Sequence, residues 1–251
     1  MVVAGSRVSI QVYGPRMAIT TRTDQLTAHD GGTFDGHVWL PDAGSGPGLL
    51  LLQEIFGVGP YVRSVAERLA AQGYVVLAPD VFWRVQRNWE ADHDEKGLTD
   101  SIGMMGKFDF VQGVDDCVAA FEHLDEMSEV TRGTGVIGFC MGGLLTYHVA
   151  AATEPQVAVS YYGSNIASSL DLSGKITCPI IFHFGERDAY IPIEQVDQIR
   201  VAFANRDDAP VHVHDAGHAF DNHEAPMFFD PEAAKAAWAI TSEFLATHLP
   251  V

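Results

Sequence analysis

Positive charge is scarce in this sequence: fifteen Lys and Arg face thirty-three Asp and Glu, for a net charge of −18 over 251 residues. That deficit argues against nucleic acid and against anionic membrane surfaces as partners, because both require a concentrated cationic face. Long apolar runs are missing too, none approaching the ~18 residues that cross a bilayer. The opening MVVAGSRVSI lacks the basic stretch and long apolar core of a secretory signal, so a cytoplasmic protein is expected. Cysteine is sparse. Cys117, Cys140 and Cys178 form no C-x-x-C pair, which excludes a disulfide framework and a zinc ribbon. Cys117 sits among apolar helical residues and Cys178 precedes a proline, so both read as inert buried thiols. Internal repeats and low-complexity tracts are absent.

What is present is a regular alternation. Residues 1–24 are weakly patterned and read as a loosely attached extension, with Met17 a second candidate start; 25–251 read as one domain. A hairpin is expected over 25–40, where FDGHVWL alternates after a D-G-G turn. The apolar runs GLLLLQ (48–53), YVVLAP (74–79), TGVIGF (134–139), VAVSYY (157–162) and IIFHFG (180–185) have the length of strands buried on both faces, and VHVH (211–214) is a shorter one. Helical spacing appears over 61–72, over 110–124 (Phe110, Val111, Val114, Val118, Phe121, Leu124), over 141–152, around Ile193–Phe203 and from Pro231 to His248. Residues 80–106 show no strong period and are expected to form a long functional loop with short helical pieces. Strands alternating with helices predict an α/β fold: a single, mostly parallel sheet with helices on both faces.

The chemistry concentrates at three strand ends. Gly138-Phe139-Cys140-Met141-Gly142 is a G-x-C-x-G elbow, in which a tight strand-to-helix turn lifts a nucleophile above the sheet and glycines avoid collision. The N–H of Met141 would face a developing oxyanion, and the helix N-terminus would favour a thiolate. Asp188 follows IIFHFG and His218 follows VHVH, giving the order nucleophile, acid, histidine of the α/β-hydrolase fold. Taken singly, each has a plain structural reading: Cys140 a buried thiol, Asp188 a helix cap, His218 one of eleven histidines. Jointly they predict a triad in which Asp188 orients the His218 ring and His218 manages the proton of Cys140. His212 and His214 share one face of a strand and read as structural rather than as a metal pair.

The elbow GFCMGG, the segment QEIFGV (53–58), YYG (161–163) and the D…GH pair resemble the dienelactone hydrolases, or carboxymethylenebutenolidases, from about Gln25 to the C-terminus. The resemblance implies lactone or ester opening by Cys140 through an acyl-enzyme, with no metal or organic cofactor. It implies that Glu54 takes the thiol proton when substrate binds, and that Ile55 supplies a second oxyanion N–H beside that of Met141. The substrate of that family carries a carboxylate held by arginines. Arg84 matches the first and would pair with Glu54 at rest. Asn222 stands where the second is expected, beside Asp221, which leaves the reaction type intact and the substrate open; Arg87 is a candidate to compensate. Tyr162 would approach the sulfur, while Phe56, Phe82, Trp83 and Trp89 would line an apolar pocket or simply pack the loop. The expected partner is thus a small carboxylate-bearing lactone or ester, and a monomer is favoured. A carboxylesterase or thioesterase of different range is the alternative, and a non-catalytic binding module on this fold a more distant one.

Overall fold

The computed structural model describes residues 19–251, so Met17 and most of the expected extension lie outside the described residues. The chain starts with an antiparallel pair, β1 (Thr20–Thr27) and β2 (Thr33–Leu40), with Thr20 opposite Leu40. The hairpin therefore begins upstream of Gln25, and residues 20–24 belong to the sheet rather than to an extension. There follow β3 (Gly46–Leu52), α1 (Pro60–Ala71), β4 (Val75–Pro79), α2 (Glu95–Met105), α3 (Phe110–Glu126) and β5 (Val130–Phe139). The second half comprises α4 (Met141–Ala152), β6 (Ala158–Tyr161), a 3₁₀ segment (Ile166–Lys175), β7 (Ile180–Gly185), α5 (Ile193–Ala202), β8 (Val211–His214) and α6 (Pro231–His248).

All eight strands form one sheet in the order β1-β2-β4-β3-β5-β6-β7-β8. β2 meets β4 antiparallel, and from β4 to β8 every pairing is parallel. Every residue of β3, β4, β6 and β7 is buried, as the unbroken apolar runs require of strands covered on both faces. β4 lies on one side of β3 and β5 on the other. Right-handed crossovers then place α1 and α3 on opposite faces of the sheet. The strand order reverses between β3 and β5, and a crevice opens at such a switch point beyond the carboxyl ends of the strands. Glu54 leaves β3 there, and Cys140 leaves β5.

The segment expected to be a loop over 80–106 holds a regular eleven-residue helix, α2. Asp94 caps it, its carboxylate accepting from the N–H of Gly97 at 2.7 Å. Two glycines, Gly97 and Gly103, dilute its apolar pattern, and only Gly97, Ser101 and Met104 are buried. In α3, Val111 faces outward at 81% exposure and is not part of the helix's core face. No helix among the described residues is long and apolar enough to cross a membrane.

Candidate active site

Cys140 sits between β5 and α4 at φ 55°, ψ −115°, a conformation that L residues avoid at a cost of about 1–3 kcal/mol. The turn is closed by backbone crowding. A Cβ on Gly138 would lie 2.1 Å from the carbonyl oxygen of Gly142, and one on Gly142 would lie 2.1 Å from that of Leu52. Glycine at both positions lets β3, β5 and α4 meet at the elbow. The N–H of Cys140 is anchored on the carbonyl of Tyr161, 3.0 Å away.

The loops after β7 and β8 bring the other two groups. Nε2 of His218 lies 3.2 Å from Sγ of Cys140, and its Nδ1 lies 2.7 Å from Oδ2 of Asp188. The other oxygen of Asp188 accepts from the backbone N–H groups of Tyr190 (2.8 Å) and Ile191 (3.1 Å), which fixes the carboxylate. The imidazole lies between Tyr162 and Tyr190, with ring centroids at 5.3 and 5.0 Å. Burial alone would push this ring toward neutrality, but its contacts with Cys140 and the Asp188 carboxylate outweigh that and hold the ring well above the ordinary histidine range.

Glu54 is buried on the same crevice. Asn222 donates its amide to one carboxylate oxygen at 2.6 Å, and the other oxygen has no partner. Behind it run Tyr162, Tyr61 and Asp221: the two phenol oxygens are 3.4 Å apart, and Tyr61 donates to Asp221 at 2.8 Å. Burial raises the Glu54 carboxyl to about 7, despite opposition from the His218 charge and the Asn222 bond. Its ordinary value is 4.5. Across that interval the unfolded chain releases a proton that the folded chain retains, so stability falls as pH rises through it. Glu54→Gln removes this term. Relative to wild type, the variant should gain about 3 kcal/mol between pH 5 and pH 8. Urea midpoints of both proteins at the two pH values measure the gain, and an unchanged difference would contradict the shift.

A cavity of about 310 Å³ opens over these groups, lined by Glu54, Ile55, Phe56, Cys140 and His218 from the expected set. Neither the N–H of Ile55 nor that of Met141 is taken up by a hydrogen bond within the described residues. Leu98, Ile102 and Met105 of α2, with Tyr190 and Phe228, complete the apolar walls. These five were not anticipated. The first three stand at i, i+4 and i+7, a helical stripe visible in the sequence, whereas Tyr190 and Phe228 arrive on loops without any local signal.

Several expected substrate contacts lie elsewhere. Arg84 does not pair with Glu54. Its guanidinium donates twice to buried Asp116 at 2.8 Å, reaches Asp30 at 2.8 Å and lies 4.2 Å from the Trp83 ring centroid. Trp83 is not a pocket residue either, since it donates to Asp116 at 2.8 Å and stacks on Phe34. Arg87 bonds the carbonyl of Thr33, Phe82 is core, and Trp89 donates to the carbonyl of Ile55. Asn222 and Tyr162 are wholly buried behind the cavity and act on Glu54 and His218 rather than on its contents. No Lys or Arg among the described residues lines the cavity. Arg84→Met should therefore cost about 3 kcal/mol, by stranding Asp116. That corresponds to a fall of roughly 6–12 °C in Tm, with kcat/KM unchanged within twofold. A specific rise in KM for carboxylate-bearing substrates would restore Arg84 to the site.

His214 shares a 3.0 Å contact with buried His183, whose other nitrogen meets Thr241 at 3.0 Å. This is a packed hydrogen-bond chain, and no group of three metal-ligating side chains occurs among the described residues.

Comparison with known proteins places this geometry. The dienelactone hydrolase family profile matches residues 34–249. The carboxymethylenebutenolidase of Pseudomonas sp. strain P51 is 36% identical over 227 residues, covering 90% of this chain and 95% of that enzyme. Carboxymethylenebutenolidase 1 of Cupriavidus pinatubonensis is 30% identical over 223 residues, covering 88% and 95%. Among solved structures, a dienelactone hydrolase-like promiscuous phosphotriesterase from metagenomic libraries shares the α/β-hydrolase fold, with a TM-score of 0.79 and 23% identity over 92% of this chain and 99% of that one. A profile match spanning the elbow, both later strand-end loops and nearly all of the sheet shows that this chain is a hydrolase belonging to the dienelactone hydrolase family.

Proposed function

We propose that the chain hydrolyses an ester or lactone by attack of Cys140 on the carbonyl carbon, with His218 and Asp188 completing the triad. The observation that carries this reading is the continuous line from Sγ through Nε2 and Nδ1 to Oδ2, at 3.2 and 2.7 Å, opening into a cavity. The thiol proton passes to His218, the S–C bond forms, and the carbonyl oxygen becomes an oxyanion between the N–H groups of Ile55 and Met141. Collapse breaks the ester C–O bond, and the departing alkoxide takes the proton from His218. Water, deprotonated by the same imidazole, then attacks the thioester; the C–S bond breaks, the departing sulfur takes that proton back from His218, and the carboxylic acid is released. Glu54, titrating near 7 beside the ring, is the further acid–base group, and its carboxylate stabilises the imidazolium. The chemistry requires no metal and no organic cofactor.

The family relatives support opening of a dienelactone. A specific feature favours a neutral ester instead: no Lys or Arg among the described residues lines the cavity, Asn222 is spent on Glu54, and Arg84 is locked in its own ion pairs. The two substrates separate these readings. Dienelactone consumption is followed by loss of its ultraviolet absorbance, beside release of nitrophenolate from a neutral 4-nitrophenyl ester. A kcat/KM for the neutral ester at least tenfold higher supports the neutral-ester reading. The reverse ratio returns the protein to carboxylate-bearing lactones, and turnover of neither would overturn both substrate readings.

A further inference from the structure

A second cavity, of about 350 Å³, meets the first at Cys140, with Met105, Ser164 and Asn165 common to both. Its walls are Phe108, from the stretch joining α2 to α3, Phe110 at the start of α3, and a stripe along α4 formed by Met141, Leu144 and His148. Those three positions are i, i+3 and i+7, so they lie on one side of the helix. At the far end His148 stands edge-on to Phe110, with centroids 4.9 Å apart, and its Nε2 is buried with no hydrogen-bond partner. A buried polar nitrogen without a partner is unusual even in a chamber that Ser164, Asn165, Ser168 and Ser169 also line, since such groups are nearly always satisfied.

The chemistry of the two half-reactions decides which arm of a substrate each chamber takes. This argument rests on the Cys140 mechanism proposed above. The leaving alkoxide needs a proton from His218, and the later water must reach the same nitrogen. Both must therefore lie on the side where His218 stands. His218 lines the first cavity and not the second. The acyl group, which stays on sulfur through both steps, has to leave that side free. We infer that the second cavity is the acyl pocket and takes an arylalkanoyl group, a flat ring on a short spacer, whose far end carries a hydroxyl or carbonyl that bonds Nε2 of His148.

Size agrees with the assignment. Eight residues of helix separate Cys140 from His148, a rise of roughly 12 Å. Both side chains shorten that gap, and the imidazole leans back toward the helix N-terminus. One aromatic ring and a two-carbon spacer fill what is left.

The test holds the leaving group constant and varies the acid. Wild-type enzyme is assayed on the 4-nitrophenyl esters of acetic, 3-phenylpropionic and 3-(4-hydroxyphenyl)propionic acids, with active sites counted from the nitrophenolate burst. The phenylpropionate should exceed the acetate in kcat/KM by about tenfold or more, and the hydroxylated acid should exceed the phenylpropionate by a further severalfold. Leu144→Trp, which fills the chamber from α4, should collapse the phenylpropionate-to-acetate ratio by about tenfold. Ser168→Trp, entering from the exposed rim, serves the same purpose should the first variant fold poorly. His148→Leu should remove only the preference for the hydroxyl. Equal rates across the acyl series, or ratios unmoved in both tryptophan variants, overturn the assignment while leaving Cys140 as the nucleophile. Undiminished hydrolysis of these esters by Cys140→Ala would instead refute the mechanism beneath it.

Discussion

Cys140→Ala is expected to lower kcat/KM for the best ester by a factor on the order of 10⁴ or more and to abolish acyl-enzyme formation, with the fold retained. The sulfur is the only atom removed. Alanine accepts the φ of 55° no worse than cysteine does, and its methyl group fits within the space the thiol occupied. The N–H groups of Ile55 and Met141 and the imidazole of His218 remain, so water activated by His218 sets the residual rate. Hydrolysis rates together with intact mass after rapid quench give the readout. Wild type should show the added acyl mass, whereas the variant should not. A variant within tenfold of wild type would mean that another group attacks the carbonyl.

Asp188→Asn should reduce kcat by a factor on the order of 10³, with KM changed only a few fold. The reason lies in how the carboxylate is held. One oxygen accepts from two backbone N–H groups, those of Tyr190 and Ile191, and only an oxygen can do so. Asparagine therefore keeps its oxygen there and turns its amide NH₂ toward Nδ1 of His218. The ring must then offer Nδ1 as acceptor and carry its proton on Nε2, pointing at the sulfur. An imidazole already protonated on that side cannot take the thiol proton. Nitrogen NMR of the labelled ring would show the exchanged tautomer directly. Activity within tenfold of wild type, or an unchanged tautomer, would show that Asp188 is not what orients His218.

The elbow and its two partners were legible because their signals are local. A nucleophile between crowding glycines, an acid and a histidine each follow an apolar strand by only a few residues, and a parallel sheet carries such positions to one edge. Arg84 shows where sequence matching fails. The position corresponds, but Asp116, arriving from α3, captures the guanidinium twice over, and nothing near Arg84 announces that partner. α2 was obscured for a different reason. Its apolar residues face a cavity rather than a core, and Gly97 and Gly103 interrupt the pattern that periodicity detects. The early start of β1 escaped notice because TTRTDQLT lies at the sheet edge, where most side chains are solvated and alternation is weak.

The way α2 is hung across the crevice has a bearing on adaptability. The helix is held by its Asp94 cap and by Met104, while Leu98, Ile102 and Met105 turn toward the cavity, with Ile102 at 55% and Met105 at 42% exposure. These three side chains shape the chamber without supporting the core, so exchanging them carries little penalty in stability. Selection, natural or in the laboratory, can thus retune what the enzyme accepts on one turn-and-a-half of helix while the reacting groups stay untouched, and a three-position library there is the shortest route to new substrates.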